Sequence, residues 1–178
     1  FELGFIELQD AASQAAVASV KGKGRALDFC AGGGGKTLAM AAAQPAAKFD
    51  AWDISAARLK SLKVRAKRAG ATVFVLETEP SAPTYDLVFV DAPCSGSGSW
   101  RRNPEGKWRL TSDRLNELQG IQAKLLQQAA VCTKPGGILA YVTCSIFDCE
   151  NRAQVDKFLN DYPAFALLKK RDFSVSDP

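Results

Sequence analysis

Arg25-Ala26-Leu27-Asp28-Phe29-Cys30-Ala31-Gly32-Gly33-Gly34-Gly35-Lys36-Thr37 is a short apolar run that passes through four consecutive glycines into helix-forming residues. Glycines let a backbone approach a ligand closely, and a helix N-terminus favours negative charge. Nucleoside triphosphates, dinucleotides and S-adenosylmethionine all use that geometry. Spacing removes two of them. A phosphate-binding P-loop needs a glycine five positions before Gly35, where Cys30 stands. A dinucleotide loop begun at Gly32 needs its last glycine where Thr37 stands. A purely structural turn is a poor account, because four glycines in a row cost much chain entropy.

Further apolar runs rich in β-branched or aromatic residues follow the same plan. Strands are expected at Arg25–Cys30, Lys48–Asp53, Thr72–Leu76, Asp86–Asp91 and Gly137–Thr143. Helical spacing is clearest over Asp113–Thr133, where Leu115, Leu118, Ile121, Leu125, Leu126 and Ala129 recur at three and four. Lys134-Pro135-Gly136-Gly137 is expected to stop that helix and turn the chain. Other helices are expected at Lys36–Ala43, from a Ser55 cap to Gly70, and from Cys149 to Leu159. Strands alternating with helices predict a parallel sheet covered on both faces. The fold class is therefore α/β, a doubly wound Rossmann-like sandwich, with residues 1–178 expected to be one domain of a longer protein.

Composition narrows the chemistry. The 178 residues are 47% hydrophobic and 24% charged, which is the balance of a globular chain. No apolar run reaches the roughly 20 residues of a membrane span. Net charge is +4, compatible with a polyanionic partner. The five cysteines at 30, 94, 132, 144 and 149 are odd in number and form no small secreted framework, which predicts reduced thiols in a cytoplasmic setting; a monomer is expected. Without a CxxC pair or any His, no metal site is expected.

Asp53, at the end of the second strand, is suited to accept both ribose hydroxyls of a nucleoside cofactor. The alternative is an acid serving the helix dipole beside Ser55. The fourth strand ends in Asp91-Ala92-Pro93-Cys94-Ser95-Gly96 and the fifth in Thr143-Cys144-Ser145, so two thiols leave strand ends among polar residues. Cys132 lies on the long helix and reads as a buried structural thiol. C5 of cytosine is a poor nucleophile. A thiolate adding to C6 makes C5 able to attack a sulfonium methyl group, which splits one hard step into easier ones. Asp91 is placed to support charge at N3 of the ring, a role that asks for a buried, protonated carboxyl. A second thiol would assist release of the adduct.

These residues together are recognisable. The chain resembles the Sun-type (NOL/NOP/Sun) family of S-adenosylmethionine-dependent RNA cytosine-C5 methyltransferases over almost all of its length. The resemblance runs through Gln9-Asp10-x-x-Ser13-Gln14, Cys30-Ala31-x-x-Gly34-Gly35-Lys36-Thr37, Asp53-Ile54-Ser55-x-x-Arg58-Leu59 and Asp91-Ala92-Pro93-Cys94-Ser95-Gly96-x-Gly98. It continues at Arg101-Arg102-Asn103-Pro104-x-x-Lys107-Trp108, Thr143-Cys144-Ser145 and Glu150-Asn151. It implies Cys144 as nucleophile and Cys94 as the release cysteine. It also implies cofactor contacts from Cys30, Ala31, Gly32, Gly33, Gly34, Gly35, Lys36, Asp53, Arg58 and Asp91, with RNA, in particular rRNA, as substrate. Cys94 stands in a Pro-Cys pair such as DNA cytosine methyltransferases use, so Cys94 as nucleophile stays the mechanistic rival.

Three departures from the family pattern stand out. Gly32-Gly33 replaces the usual Ala-Pro and predicts a looser loop. The acid after the third strand is a Glu, Glu77 or Glu79, where Asp is usual. The family's further sheet-closing strands do not follow before Pro178. The loop from Ser99 to Arg109 interleaves Trp100 and Trp108 with Arg101, Arg102, Lys107 and Arg109. Such a segment suits stacking on bases and pairing with phosphates, or simply a tryptophan-anchored surface loop. The unbroken basic series Arg58, Lys60, Lys63, Arg65, Lys67 and Arg68 reads as a solvated face or as added attraction for RNA. Two rival functions remain from sequence: a P-loop-like ATPase, argued by Gly35-Lys36-Thr37 alone, and a non-catalytic RNA-binding relative.

Overall fold

The computed structural model describes residues 3–22 and 24–173; the expectations about the chain's two ends fall on Phe1, Glu2 and the last five residues, outside that range. The chain gathers into two compact units. One comprises Phe1–Val90, Ala129–Ala140 and Asp172–Pro178, and the other Asp91–Gln128 with Tyr141–Arg171.

The first unit is built on the sheet. Its elements are α1 (Ala11–Ala18), β1 (Arg25–Asp28), α2 (Gly35–Ala43), β2 (Lys48–Ala51), α3 (Ala56–Arg68), β3 (Val73–Val75), β4 (Tyr85–Asp91) and β5 (Thr133–Val142). Asp91 of β4 and Tyr141–Val142 of β5 are the strand residues that belong to the second unit. Strand order is β3-β2-β1-β4-β5. The pairs β1–β2, β1–β4 and β2–β3 are parallel, with Leu27 opposite Asp50 on one side and Val88 on the other. This is the doubly wound order in which the carboxyl ends of the strands receive the ligand.

Burial explains the order. Leu87, Val88, Phe89 and Val90 are all fully buried, as expected of a central strand covered on both faces. Ala31, Leu38, Ala51, Leu59, Leu62 and Ala66 form a core against which Ala71, Val73 and Val75 pack. Each fully buried Leu of that set contributes about 1.5–3 kcal/mol of transfer free energy. β1 and β2 end two residues earlier than the sequence predicts and β3 and β5 one residue earlier, whereas β4 ends at Asp91 as predicted. Helix α1, which the sequence reading omitted, is short and Ala-rich; Ala16 and Val17 are its buried residues.

Two local expectations are corrected. Lys134-Pro135-Gly136-Gly137 lies inside β5 rather than forming a turn before it. Lys134 pairs with Asp86 at 3.0 Å, and a Cβ on Gly137 would stand 3.1 Å from the Tyr85 carbonyl, so this stretch is held close against β4. Ser55 occupies the N-cap position of α3, but its side chain makes no capping bond. Asp53 Oδ1 takes the Ser55 N–H instead, at 2.8 Å.

The second unit holds α4 (Glu105–Arg109), most of α5 (Ser112–Cys132), and α6 (Arg152–Asp161), with 3₁₀ turns at Ser97–Ser99 and Asp148–Glu150. Thr111 Oγ1 accepts the Arg114 N–H at the start of α5, an N-cap contact. Leu118, Leu126 and Phe158 are buried here. Phe158 stacks on Tyr162 with centroids 4.8 Å apart. The last helix begins three residues later than predicted, at Arg152. Asn151 leaves helical geometry at φ −117°, ψ −93°, while its side chain bonds Thr143 Oγ1 at 2.6 Å and the Ser145 and Phe147 carbonyls at 2.9 Å.

Candidate active site

The first unit gathers the cofactor candidates at the carboxyl ends of β1, β2 and β3. The loop after β1 leaves the sheet through Phe29, whose N–H bonds the Phe89 carbonyl, and Ala31, whose N–H bonds the Trp52 carbonyl. Gly32 and Gly34 have φ of +51° and +82°, which side chains rarely adopt. A Cβ on Gly34 would lie 2.2 Å from Leu62 Cδ1, so the loop passes over Leu62 at a distance only glycine allows. Gly35 opens α2 and has only ordinary contacts around its missing Cβ. Cys30 and Lys36 are half-buried.

Asp53 ties this loop down. Buried at the end of β2, it accepts the Gly32 N–H at 2.8 Å and Arg58 Nη1 at 3.2 Å on Oδ2, while Oδ1 takes Ser55. Asp53 therefore serves the helix start and the loop at once. Each carboxylate oxygen offers two lone pairs, so Oδ1 keeps acceptor capacity for a ribose hydroxyl.

Of the two acids after β3, Glu77 stays at the carboxyl edge, where the preceding Leu76 N–H bonds Ala51. Glu79 belongs to the far end of the sheet, near Cys132 at the start of β5. That thiol donates to the Pro80 carbonyl at 3.1 Å, and burial with the Glu79 charge pushes it up to about 11. Cys132 is thus the buried structural cysteine that the sequence predicts. Thr37 is fully buried and gives its hydroxyl to Asp28 at 2.6 Å. A phosphate loop would turn that hydroxyl toward Mg²⁺, so the ATPase reading fails here.

The basic face of α3 is smaller than its sequence suggests. Glu7 accepts from Arg65 at 2.9 Å and from Arg68, and Arg65 also donates to the Gly33 carbonyl at 2.6 Å. Burial raises the Glu7 carboxyl, but the Arg65 and Arg68 bonds outweigh it and hold the pKa below the ordinary value. Lys60, Lys63 and Lys67 remain exposed.

The second unit brings two thiols together. Ala92, just past β4, donates its N–H to the Val142 carbonyl at 2.9 Å, and the two loops stay in contact beyond it, the Gly98 N–H bonding the Cys144 carbonyl at 2.9 Å. Cys94 Sγ and Cys144 Sγ stand 3.3 Å apart, although 50 residues separate them in sequence. Cys144 is exposed and Cys94 is half-buried. The hydrogen bond to Cys144, then burial, raise the Cys94 pKa far above that of an ordinary thiol, which keeps Cys94 protonated. Asp91 is half-buried at the end of β4, less enclosed than its predicted role asks.

Around the thiols runs a polar network that sequence reasoning missed. Glu150, fully buried, accepts Ser95 N–H at 2.8 Å and Gln122 Nε2 at 3.0 Å on Oε1. On Oε2 it accepts the hydroxyls of Ser95 and Ser145, each at 2.5 Å. Burial pushes the Glu150 carboxyl up, and the bonds from Ser145, Ser95 and Gln122 outweigh burial, so its pKa lies below the usual carboxylate value. Tyr141 donates its hydroxyl to the Glu150 carbonyl at 2.8 Å. A signal was present: both cysteines are followed by serine, and Gln122 interrupts the apolar stripe between Leu118 and Leu126.

The RNA candidates divide. Trp100 is an anchor, edge-on to Phe147 at 5.7 Å. Trp108 is 81% exposed, with Lys107 Nζ 5.3 Å from its ring, and Arg101 and Arg102 are exposed. Among the described residues no group of three His, Cys, Asp or Glu side chains is gathered for a metal, and no helix is long and apolar enough to cross a membrane.

Comparison with known proteins gives a consistent family. Residues 15–177 match the family model described as 16S rRNA methyltransferase RsmB/F. Ribosomal RNA small subunit methyltransferase B from Salmonella arizonae is 36% identical over 94% of this chain, which spans only 41% of that relative. Among solved structures, PH0851 is 38% identical with a TM-score of 0.86, over 92% of this chain and 39% of that one. A methyltransferase homolog protein from Pyrococcus horikoshii is 29% identical with a TM-score of 0.78, over 91% of this chain and 53% of that one.

Proposed function

Because the chain belongs to the RsmB/F family of 16S rRNA methyltransferases, we propose that it transfers a methyl group from S-adenosylmethionine to C5 of a cytosine in RNA, with rRNA as the substrate class. The first unit suits the cofactor: the left-handed Gly32 and Gly34 let the loop lie close against Arg58 and Leu62, and Asp53 sets a buried carboxylate beside it. Cys30–Lys36, Asp53, Arg58 and Glu77 would hold it. When bound, it supplies an electrophilic methyl group.

Cys144 carries the covalent step. Its exposed sulfur forms a bond to C6 of the extruded base, and the ring's electrons move toward N3, where Asp91 supports them. C5 then takes the methyl group. Loss of the C5 proton to solvent water re-forms the C5–C6 double bond and breaks the C6–S bond, whose electron pair leaves with the Cys144 sulfur as a thiolate. Cys94, half-buried with its sulfur 3.3 Å from Cys144 Sγ, is the thiol that assists that elimination. Arg101, Arg102, Lys107 and Trp108 would receive the RNA by charge and stacking. The setting is the cytoplasm, where thiols stay reduced, with the chain acting as a monomer and one catalytic domain of a longer protein.

The observation that carries this reading is the thiol pair, one sulfur exposed and the other half-buried 3.3 Å from it. Incubation with cofactor and RNA containing 5-fluorocytidine traps the adduct, since fluorine at C5 cannot leave as a proton. Peptide mapping should place it on Cys144. Cys144→Ala should abolish methylation, and Cys94→Ala should accumulate covalent complex. An adduct on Cys94 would overturn the assignment.

A further inference from the structure

Both thiol-bearing loops end on one carboxylate. The Cys94 loop reaches Glu150 through the Ser95 N–H and hydroxyl, and the Cys144 loop through the Ser145 hydroxyl. The hydroxyl directions are fixed by their neighbours. Ser145 Oγ already accepts the Phe147 N–H at 3.0 Å, and Ser97 Oγ accepts the Ile146 N–H at 2.9 Å. Ser97 and Ser145 lie 3.0 Å apart, so Ser97 donates to Ser145, and Ser145 donates onward to Glu150. The serine hydroxyl bonds thus run toward this carboxylate. Gln122 braces it from α5 while also donating to the Pro93 carbonyl at 2.9 Å. We infer that Glu150 is a positioning residue for the two sulfurs: its buried carboxylate clamps the Cys94 loop to the Cys144 loop and sets the spacing of the thiol pair.

The inference rests on Cys144 and Cys94 being the working thiols, but its geometry can be tested without RNA or cofactor. Diamide joins two adjacent thiols in a disulfide, taking up the two electrons and two protons released as the S–S bond forms. In the wild-type protein, peptide mapping should find a Cys94–Cys144 link forming fast. Glu150→Gln keeps the shape but fails the network. One amide orientation sets a donor against the fixed Ser95 N–H, and the other sets it against two hydroxyl donors.

The link should then form at least about tenfold more slowly, and kcat for methylation should fall by a similar factor, since misplacing reacting groups by about 1 Å costs up to 10²-fold. The cofactor KM should stay within about twofold, because the clamp touches none of the cofactor residues. A residue that merely supports the fold would lower the melting temperature and leave the disulfide rate of the folded protein unchanged. If Glu150→Gln does not fold, Ser95→Ala and Ser145→Ala each remove one arm and should each slow the link. Wild-type disulfide rates in the folded variants would overturn the inference. Should the wild-type protein fail to methylate RNA while its disulfide rate still depends on Glu150, the methyltransferase reading falls and the clamp stands.

Discussion

Two neighbouring glycines should respond oppositely to the same substitution. In Gly34→Ala the new Cβ lands 2.2 Å from Leu62 Cδ1 and 3.0 Å from Leu62 Cβ and Cγ, on a backbone with φ of +82°. The left-handed conformation costs roughly 1–2 kcal/mol for a residue with a Cβ. Leu62 is fully buried in the core beneath the loop, and overpacking such a site costs a further 1–3 kcal/mol or so. The expected loss is about 2–5 kcal/mol, a large part of the roughly 5–15 kcal/mol that a domain has. Gly35→Ala places its Cβ 3.6 Å from Gln9 Nε2, an ordinary contact, at the first residue of α2. Removing glycine's excess entropy there should stabilise by up to about 1 kcal/mol. Urea unfolding with a shared m-value measures both. Calorimetry with S-adenosylmethionine should show weaker binding for Gly34→Ala only. Stabilities for the two variants within about 0.5 kcal/mol of each other would refute the cradle as described.

Asp53→Ala removes the acceptor of the Gly32 and Ser55 N–H groups together with the proposed ribose acceptor. Its dissociation constant for S-adenosylmethionine should rise about tenfold or more, at roughly 1.4 kcal/mol per tenfold, and unchanged binding would remove Asp53 from the cofactor site. Glu150 should leave a mark on acid stability. Its folded pKa is lowered, so its contribution is fully present above the unfolded value of 4.5 and is lost as pH falls through the folded value. The stability difference between wild type and Glu150→Gln should therefore shrink below about pH 4.5, and urea midpoints that keep a constant gap down to pH 3 would contradict it. Trp108→Ala, at an exposed ring, should weaken RNA binding by about 1–3 kcal/mol while leaving the melting temperature in place. A large fall in melting temperature would make Trp108 an anchor like Trp100.

How much of this was legible in the sequence depends on the range over which each feature is determined. The strands and the long helix were visible because Leu87–Val90 and the Leu118–Leu126 stripe are local patterns of burial. The glycine loop was visible because left-handed φ leaves a compositional trace. Helix α1 was not, since its alanines form no stripe to distinguish one face. The thiol pair was half legible: two cysteines at strand exits predict a common edge, but not a 3.3 Å contact. The Glu150 network left only scattered traces, the serine after each cysteine and Gln122 in the apolar stripe, because Ser95 and Gln122 lie 55 and 28 positions away from it. Choosing between Glu77 and Glu79 required the path of the chain, which carries the second to the neighbourhood of Cys132. The basic helix misled by composition, because charge counted along a sequence does not show that Glu7 engages two of the arginines.

Arg65 gives the first unit a property that no single contact conveys. One guanidinium serves both Glu7 and the Gly33 carbonyl, so the order of the segment ahead of α1 and that of the glycine loop draw on a shared donor. Linkage between two such equilibria is reciprocal. To whatever extent a ligand in the cradle tightens the loop, it also slows amide exchange around Glu7, and fixing that segment raises the ligand's affinity by the same free energy. The segment around Glu7 and the glycine loop are thus joined through one side chain rather than through the backbone.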